Sequence, residues 1–381
     1  MKPVHLLHVT AGNGHRMAAR ALREALDDRR IPNVVLDLID FSNDLFKWSY
    51  SDVYKFISEH AHLACKIMYE LTDQDRDKSL MLRFVERISL ENVKRFLGYV
   101  RENEPEICVC THFFPANVLS RMKEEGLYRG RIYTVVTDFA LHRMWMSPGV
   151  DRYFAASPIV VEDLCGLGVP RERISLTGIP VLKKYREARE RLAASRQPRR
   201  GPGSPLSVLF VTSGISDSLA LNILDDLRRS GKPADVTVVA GRNRDLLGRL
   251  EGYRPREGCS FRAFGFVENL EEYLAEADLL VTKPGGLTAS EALSVGVPMI
   301  LVSPVPYQEV YNATYLERCG AGVLAATSED VMRLLTDLVR EEGRLDRMRE
   351  QALQAGFPGA SDAVVSEVLR DAASSGGVPL V

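Results

Sequence analysis

Apolar residues recur along this chain in two rhythms. Short runs rich in β-branched and aliphatic residues, Val4–Thr10, Val34–Ile39, Ile107–Thr111, Arg131–Thr137, Arg152–Ser157 and Ile174–Thr177, read as strands buried in a parallel sheet. Stretches of helical period lie between them. In the segment from Arg16 to about Asp28, Ala18, Ala19, Leu22, Ala25 and Leu26 share one face, and further helices are expected up to about Glu125 and from Pro158 to Leu167. A second series opens at Leu206–Thr212 and continues through Val236–Ala240, Ser260–Phe264, Leu279–Thr282 and Met299–Ser303. Strands alternating with helices imply parallel sheets. Two such series imply an α/β protein of two Rossmann-like domains facing each other across a cleft.

Two stretches break the rhythm. From Lys183 to Pro205 the chain turns basic and ends in the turn-forming run Arg196-Gln197-Pro198-Arg199-Arg200-Gly201-Pro202-Gly203-Ser204-Pro205, so it reads as a linker with its core at 191–205. The expected domains are therefore 1–190 and 206–358, with a C-terminal segment 359–381 whose Ala360–Ala373 has helical spacing and is free to cross back to the first domain. The other break, about 41–101, is helical in pattern and mixes Phe46, Trp48, Tyr50, Tyr54, Tyr69 and Phe84 with Lys47, Lys55, Lys66, Arg83 and Arg87. Such a mixture suits a surface lying on lipid headgroups. It equally suits a helical pair packed on the sheet with its charges solvated.

Composition narrows the picture. With 381 residues, 45% hydrophobic and 26% charged, the chain has material for two cores, and a formal net charge of −2 argues against a general nucleic-acid binder. The six cysteines, Cys65, Cys108, Cys110, Cys165, Cys259 and Cys319, contain no C-x-x-C pair and are read as reduced core residues of a cytoplasmic protein. Val4–Thr10 is too short for a signal peptide's apolar region, and nowhere do eighteen apolar residues run uninterrupted.

Candidate chemistry sits where strands end. Leu279–Thr282 runs into Lys283-Pro284-Gly285-Gly286, with a helix expected from near Thr288; paired glycines let amide groups approach a ligand, and the helix start adds a positive dipole end, which together make a phosphate cradle. Lys283 precedes the glycines, so the stretch is not a Walker loop. Thr288 and Glu291 also fit a capping box, in which the glutamate serves the helix's own backbone, and spacing alone leaves both readings open. At the exit of the first strand, Ala11-Gly12-Asn13-Gly14-His15 places a histidine at a helix start, where the dipole favours its neutral, proton-accepting form. An exposed histidine of no consequence is the competing reading. His112, Asp138 and His142 follow later strands of the same series, on the side where a doubly wound sheet keeps its ligand crevice.

Five stretches carry a resemblance: AGNGH at 11–15, VTDFALHRMW with VDRYFAAS at 135–157, ISLTGIPV at 174–181, VVAGRN at 238–243, and GFVENLEEYLAEADLLVTKPGGLTASEAL through PVPYQE at 265–309. With them the chain resembles the processive diacylglycerol glucosyltransferase and monogalactosyldiacylglycerol synthase family, of glycosyltransferase family 28 type. More distantly it is similar to the N-acetylglucosaminyltransferase that completes the peptidoglycan lipid precursor.

The resemblance implies a GT-B fold and inverting transfer from UDP-glucose or UDP-galactose to a diacylglycerol-type lipid. It also implies no cofactor, no metal, and a peripheral place on an anionic membrane surface at the inner face of the cell membrane. It assigns His15 as general base with Asp138 as orienting partner, and puts Gly12, Asn13, Gly14, His112, His142 and Trp145 toward the acceptor. For the donor it gives Gly214, Gly241, Arg242, Asn243, Phe266 and Val267, then Lys283, Gly285, Gly286, Leu287 and Thr288 around the diphosphate. Glu291 falls on the ribose hydroxyls, and Gln308 and Glu309 on the sugar.

Two departures stand out. The loop Val211–Ser218 keeps a single glycine, Gly214, and adds Asp217 near the expected diphosphate, and Tyr307 stands where relatives usually carry glycine. Two further classes stay in view. A UDP-N-acetylglucosamine 2-epimerase would need no acceptor, and a non-catalytic UDP-sugar-binding protein would bind without turnover.

Overall fold

The structure, a computed structural model, describes residues 2–10, 13–42, 94–195, 205–230, 233–304 and 308–374. Gly12, Tyr307 and residues 43–93 of the expected insertion lie outside them. Twelve strands are found among the described residues: β1 Val4–His8, β2 Asn33–Asp37, β3 Ile107–Cys110, β4 Arg131–Val135, β5 Arg152–Ala155, β6 Ile174–Leu176, β7 Leu206–Val211, β8 Ala234–Val239, β9 Phe261–Phe264, β10 Leu279–Thr282, β11 Met299–Val302 and β12 Gly322–Ala325. The helices are α1 Gly14–Asp28, α2 Lys94–Asn103, α3 Phe113–Glu124, α4 Pro158–Gly166, α5 Lys183–Ala194, α6 Asp217–Arg229, α7 Arg244–Leu250, α8 Leu270–Glu276, α9 Gly286–Val295, α10 Gln308–Arg318, α11 Ser328–Arg340, α12 Arg344–Ala355 and α13 Ala360–Ser374.

The chain forms two compact units. The first comprises Met1–Lys183, Val305–Gln308 and Gly359–Val381, and the second Lys184–Pro304 with Glu309–Pro358. In the first, six parallel strands run in the order β2-β1-β3-β4-β5-β6, with Leu6 of β1 set between Val35 of β2 and Val109 of β3. After β2 the chain passes to the far side of β1, so the order reverses between β1 and β3. One face of this sheet is covered by α1 and α13: Val4, Leu6, Leu22 and Leu26 pack with Val364, Val365, Val368 and Leu369. The other face buries Phe96, Phe114, Trp145 and Tyr153.

In the second unit the order is β12-β11-β10-β7-β8-β9, all parallel, with Leu280 of β10 set between Leu209 of β7 and Met299 of β11. Its reversal falls between β7 and β10. A parallel sheet covered on both faces must be apolar throughout, which is why β10 and β11 are buried at every position.

The expected linker differs from the structure. Lys183–Ala194 is a helix, and the second unit begins within it at Lys184. Its buried side is only Tyr185 and Ala188, a stripe three residues apart that the surrounding charge conceals. The cysteines also divide. Among the described ones, Cys108 and Cys110 are buried on β3, whereas Cys165 is exposed and Cys259 and Cys319 are half-buried, so of these five only the first two are core residues; Cys65 lies outside the described residues. Among the described residues, no helix is long and apolar enough to cross a membrane.

Candidate active site

Each sheet reverses its strand order once, and in such sheets ligands bind at the carboxyl ends of the strands flanking the reversal. In the first unit those are the ends of β1 and β3. Asn13 occupies the cap position of α1 without a side-chain bond to the helix backbone; its Oδ1 accepts from the Arg16 guanidinium at 3.0 Å instead. Gly14 opens the helix and His15 follows in its first turn.

The imidazole of His15 is fixed by two groups at one nitrogen. Nδ1 lies 2.8 Å from the main-chain carbonyl oxygen of Thr111, just past β3, and 2.9 Å from Oγ1 of Thr137, just past β4. A carbonyl only accepts, so Nδ1 bears the proton and donates it, and Nε2 carries the lone pair. The Thr111 hydroxyl returns a hydrogen bond to the carbonyl of His15 at 2.8 Å. Burial lowers the His15 pKa to about 4, the Thr111 carbonyl acts against that shift, and the nearby His8 adds to it. His15 is therefore neutral and proton-accepting at physiological pH.

The other predicted residues of this unit divide by role. His112 is buried edge-on to His15, ring centroids 4.6 Å apart, and its Nδ1 accepts from the Phe114 amide at 3.1 Å, so it caps α3. His142 likewise accepts from the Met144 amide at 3.0 Å and caps the turn Arg143–Trp145. Trp145, at 1% exposure, is a core residue whose ring lies 6.3 Å from those of His15 and His112. Asp138 is buried and accepts a hydrogen bond from Gln308 Nε2. At Nδ1 of His15, where Asp138 is the expected partner, Thr111 and Thr137 stand instead; sequence alone does not single them out because strand-end threonines are common.

In the second unit the reversal lies between the ends of β7 and β10. The cap position of α9 is Gly285, with no side chain bonded to the helix start, and the helix begins at Gly286, two residues earlier than expected. Leu287 and Thr288 complete that first turn. This removes the capping-box reading, since Thr288 lies inside the helix and Glu291 in its middle.

Lys283 folds back beneath the loop after β7. Gly214 there has φ +77°, and a Cβ on it would come within 2.8 Å of Lys283 Cε and 2.9 Å of Cδ. The single glycine left in that loop is thus required by its left-handed conformation, whereas the flexible end of the lysine would give way to a Cβ. Lys283 Nζ pairs with Glu309 Oε1 at 2.5 Å, and Asn312 holds the Pro284 carbonyl at 3.1 Å. Glu309, expected at the sugar, is in this structure the counter-ion of Lys283.

Around this centre, Gly241 has φ +61° at the end of β8 and Arg242 is exposed. Asn243 caps α7 through Leu246 N at 3.0 Å and donates to Asp217 at 2.7 Å. Asp217 also meets Arg249 at 3.4 Å, so the acid that the sequence sets near the diphosphate is already matched. Phe266 is 59% exposed beside the half-buried Val267. Glu291 is 6% exposed and accepts a hydrogen bond from the Tyr185 phenol; burial pushes its pKa up to about 7. Among the described residues, no group of three or more His, Cys, Asp or Glu is placed to hold a metal ion.

Two parallel α/β units, one with a proton-accepting histidine at its reversal and the other with an open helix start and a lysine, define a GT-B protein. Residues 15–181 match the monogalactosyldiacylglycerol synthase family and residues 208–364 the glycosyltransferase family 28 C-terminal domain. The chain thus carries the domains of both families, and it is an enzyme, a glycosyltransferase. It is 28% identical to the processive diacylglycerol beta-glucosyltransferase of Staphylococcus carnosus (strain TM300) over 362 residues, 92% of this chain and 88% of that protein. Among solved structures it is similar to MurG of Acinetobacter baumannii, with a TM-score of 0.62 at 16% identity over 97% of this chain and 100% of that one. A UDP-GlcNAc 2-epimerase from Neisseria meningitidis bound to UDP-GlcNAc gives a TM-score of 0.57 at 13% identity, again over 97% and 100%. Both likenesses concern the fold alone.

Proposed function

We propose that this glycosyltransferase moves a hexose from a UDP-sugar to the hydroxyl of diacylglycerol or a related lipid at a membrane surface, with inversion at the sugar carbon. The observation that carries this reading is His15, whose doubly held Nδ1 leaves Nε2 as a neutral base. The acceptor hydroxyl gives its proton to Nε2 as its oxygen bonds to the sugar's C1, and the bond from C1 to the UDP oxygen breaks. Charge gathers on departing UDP. The amides at the start of α9, the helix dipole and Lys283 are suited to stabilise it. Glu291 takes the ribose hydroxyls and Gln308 serves the sugar, while Glu309 holds Lys283 in place. The relatives' names support the lipid acceptor, and the aromatic and basic composition of 41–101 supports the membrane surface.

His15→Ala is expected to cut turnover by roughly a hundredfold or more, as loss of a general base does, while UDP affinity stays unchanged. The readout is UDP release with diacylglycerol, screened against UDP-glucose and UDP-galactose. Full turnover in that variant would remove His15 from the mechanism, and conversion of the donor without any acceptor would favour an epimerase.

A further inference from the structure

Glu291 is set in the middle of α9, buried, and out of reach of any capping role. Three charged or titratable groups face it. Tyr185 and Lys184 come from α5, and Glu271 comes from α8. Tyr185 is itself 3% exposed and donates its phenol hydrogen to the Glu291 carboxylate. Lys184 lies 2.6 Å from Glu271 Oε2 and also bonds the Glu268 carbonyl, so the lysine's nearest partners are on α8 and the direct hydrogen bond to Glu291 comes from the tyrosine.

A carboxylate that receives two ribose hydroxyls must be ionised and aimed. We propose that Tyr185 is a positioning residue of the donor site: by hydrogen bonding the carboxylate of Glu291, its phenol fixes the direction in which the remaining lone pairs meet the ribose hydroxyls. This rests on the reading of Glu291 as the ribose ligand. A phenol with two rotatable bonds, locked by burial, sets a direction at little entropic cost. Its hydrogen bond also favours the charged form against burial and the repulsion of Glu271. Burial pushes the Glu291 carboxyl up to about 7, so ribose binding is expected to be full above that pH and to be lost as pH falls through it. Without the phenol the inflection moves up.

The test measures the affinities of the full-length chain for UDP and for 2′,3′-dideoxy-UDP by calorimetry from pH 6 to 9. Tyr185→Phe is expected to weaken UDP roughly tenfold at pH 7 and to shift the inflection upward, leaving the dideoxy analogue bound as in the unaltered protein. Equal weakening of both ligands at every pH, or of neither, overturns the proposal, since a merely structural tyrosine cannot tell them apart. Glu291→Ala, which removes every acceptor, separates this failure from failure of the underlying reading. If that variant still prefers UDP over the dideoxy analogue, Glu291 is not the ribose ligand.

Discussion

At His15 the decisive detail is a proton's address. Thr111 offers a main-chain carbonyl that no substitution removes, while Thr137 offers a side-chain hydroxyl 2.9 Å from the same nitrogen. Thr137→Val keeps the shape and deletes one acceptor, so the ring gains freedom to tilt without losing its tautomer. Turnover is expected to fall roughly two- to tenfold, the worth of one ordinary hydrogen bond, with UDP affinity untouched. Thr137→Ser should restore it. An unchanged rate in the valine variant would leave Thr111 as the sole orienting group. The place of the histidine, at a helix start beside a glycine loop, was legible from sequence, although spacing alone left its role open. Its partners were not, since a carbonyl leaves no mark in the sequence and Thr137 looks like any strand-end residue.

Elements position these residues, and α9 shows how tightly. Gly356, which follows α12, has an ordinary φ of −81°, so conformation does not demand glycine there. Space does: a Cβ would lie 2.3 Å from the Leu293 carbonyl oxygen and 2.7 Å from its carbon, both backbone atoms of α9 that cannot swing aside. Gly356→Ala must therefore displace α9 or the chain after α12. A cost of about 2 kcal/mol is expected, read as a melting temperature lowered by several degrees. Because α9 presents Gly285, Gly286 and Glu291 together, UDP affinity should fall in the same variant. Stability and affinity both unchanged would mean that the two helices are not in register-fixing contact. The glycine pair at the start of α9 was readable in sequence, but its exact partner elements were not. α5 in particular hid behind its charge, because two buried positions make too narrow a stripe to stand out, and one of those two is Tyr185.

At the scale of the whole chain, the strand-and-helix rhythm revealed two parallel sheets, but not β12, a four-residue strand that itself opens on a glycine, nor α11 and α12, whose apolar positions are interrupted by charge. The last helix is the more consequential. Although α12 belongs to the second unit, α13 belongs to the first, where Val364, Val365, Val368 and Leu369 close one face of its sheet over Val4, Leu6, Leu22 and Leu26. Two ion pairs fasten it there, Arg29 to Asp362 at 2.9 Å and Arg152 to Asp371 at 2.9 Å. Burying four such side chains is worth roughly 1.5–3 kcal/mol each, which is comparable to the entire stability of about 5–15 kcal/mol that a domain possesses. A chain ending at Pro358 is thus expected to keep a folded second unit that still binds UDP, while its first unit unfolds. Hydrogen exchange reads this directly: the amides of β1 and α1 lose protection and those of β10 and α9 keep it. Protection of β1 at the level of the full chain would show that the first unit does not depend on α13, and loss of protection in both units would show that the two do not fold independently.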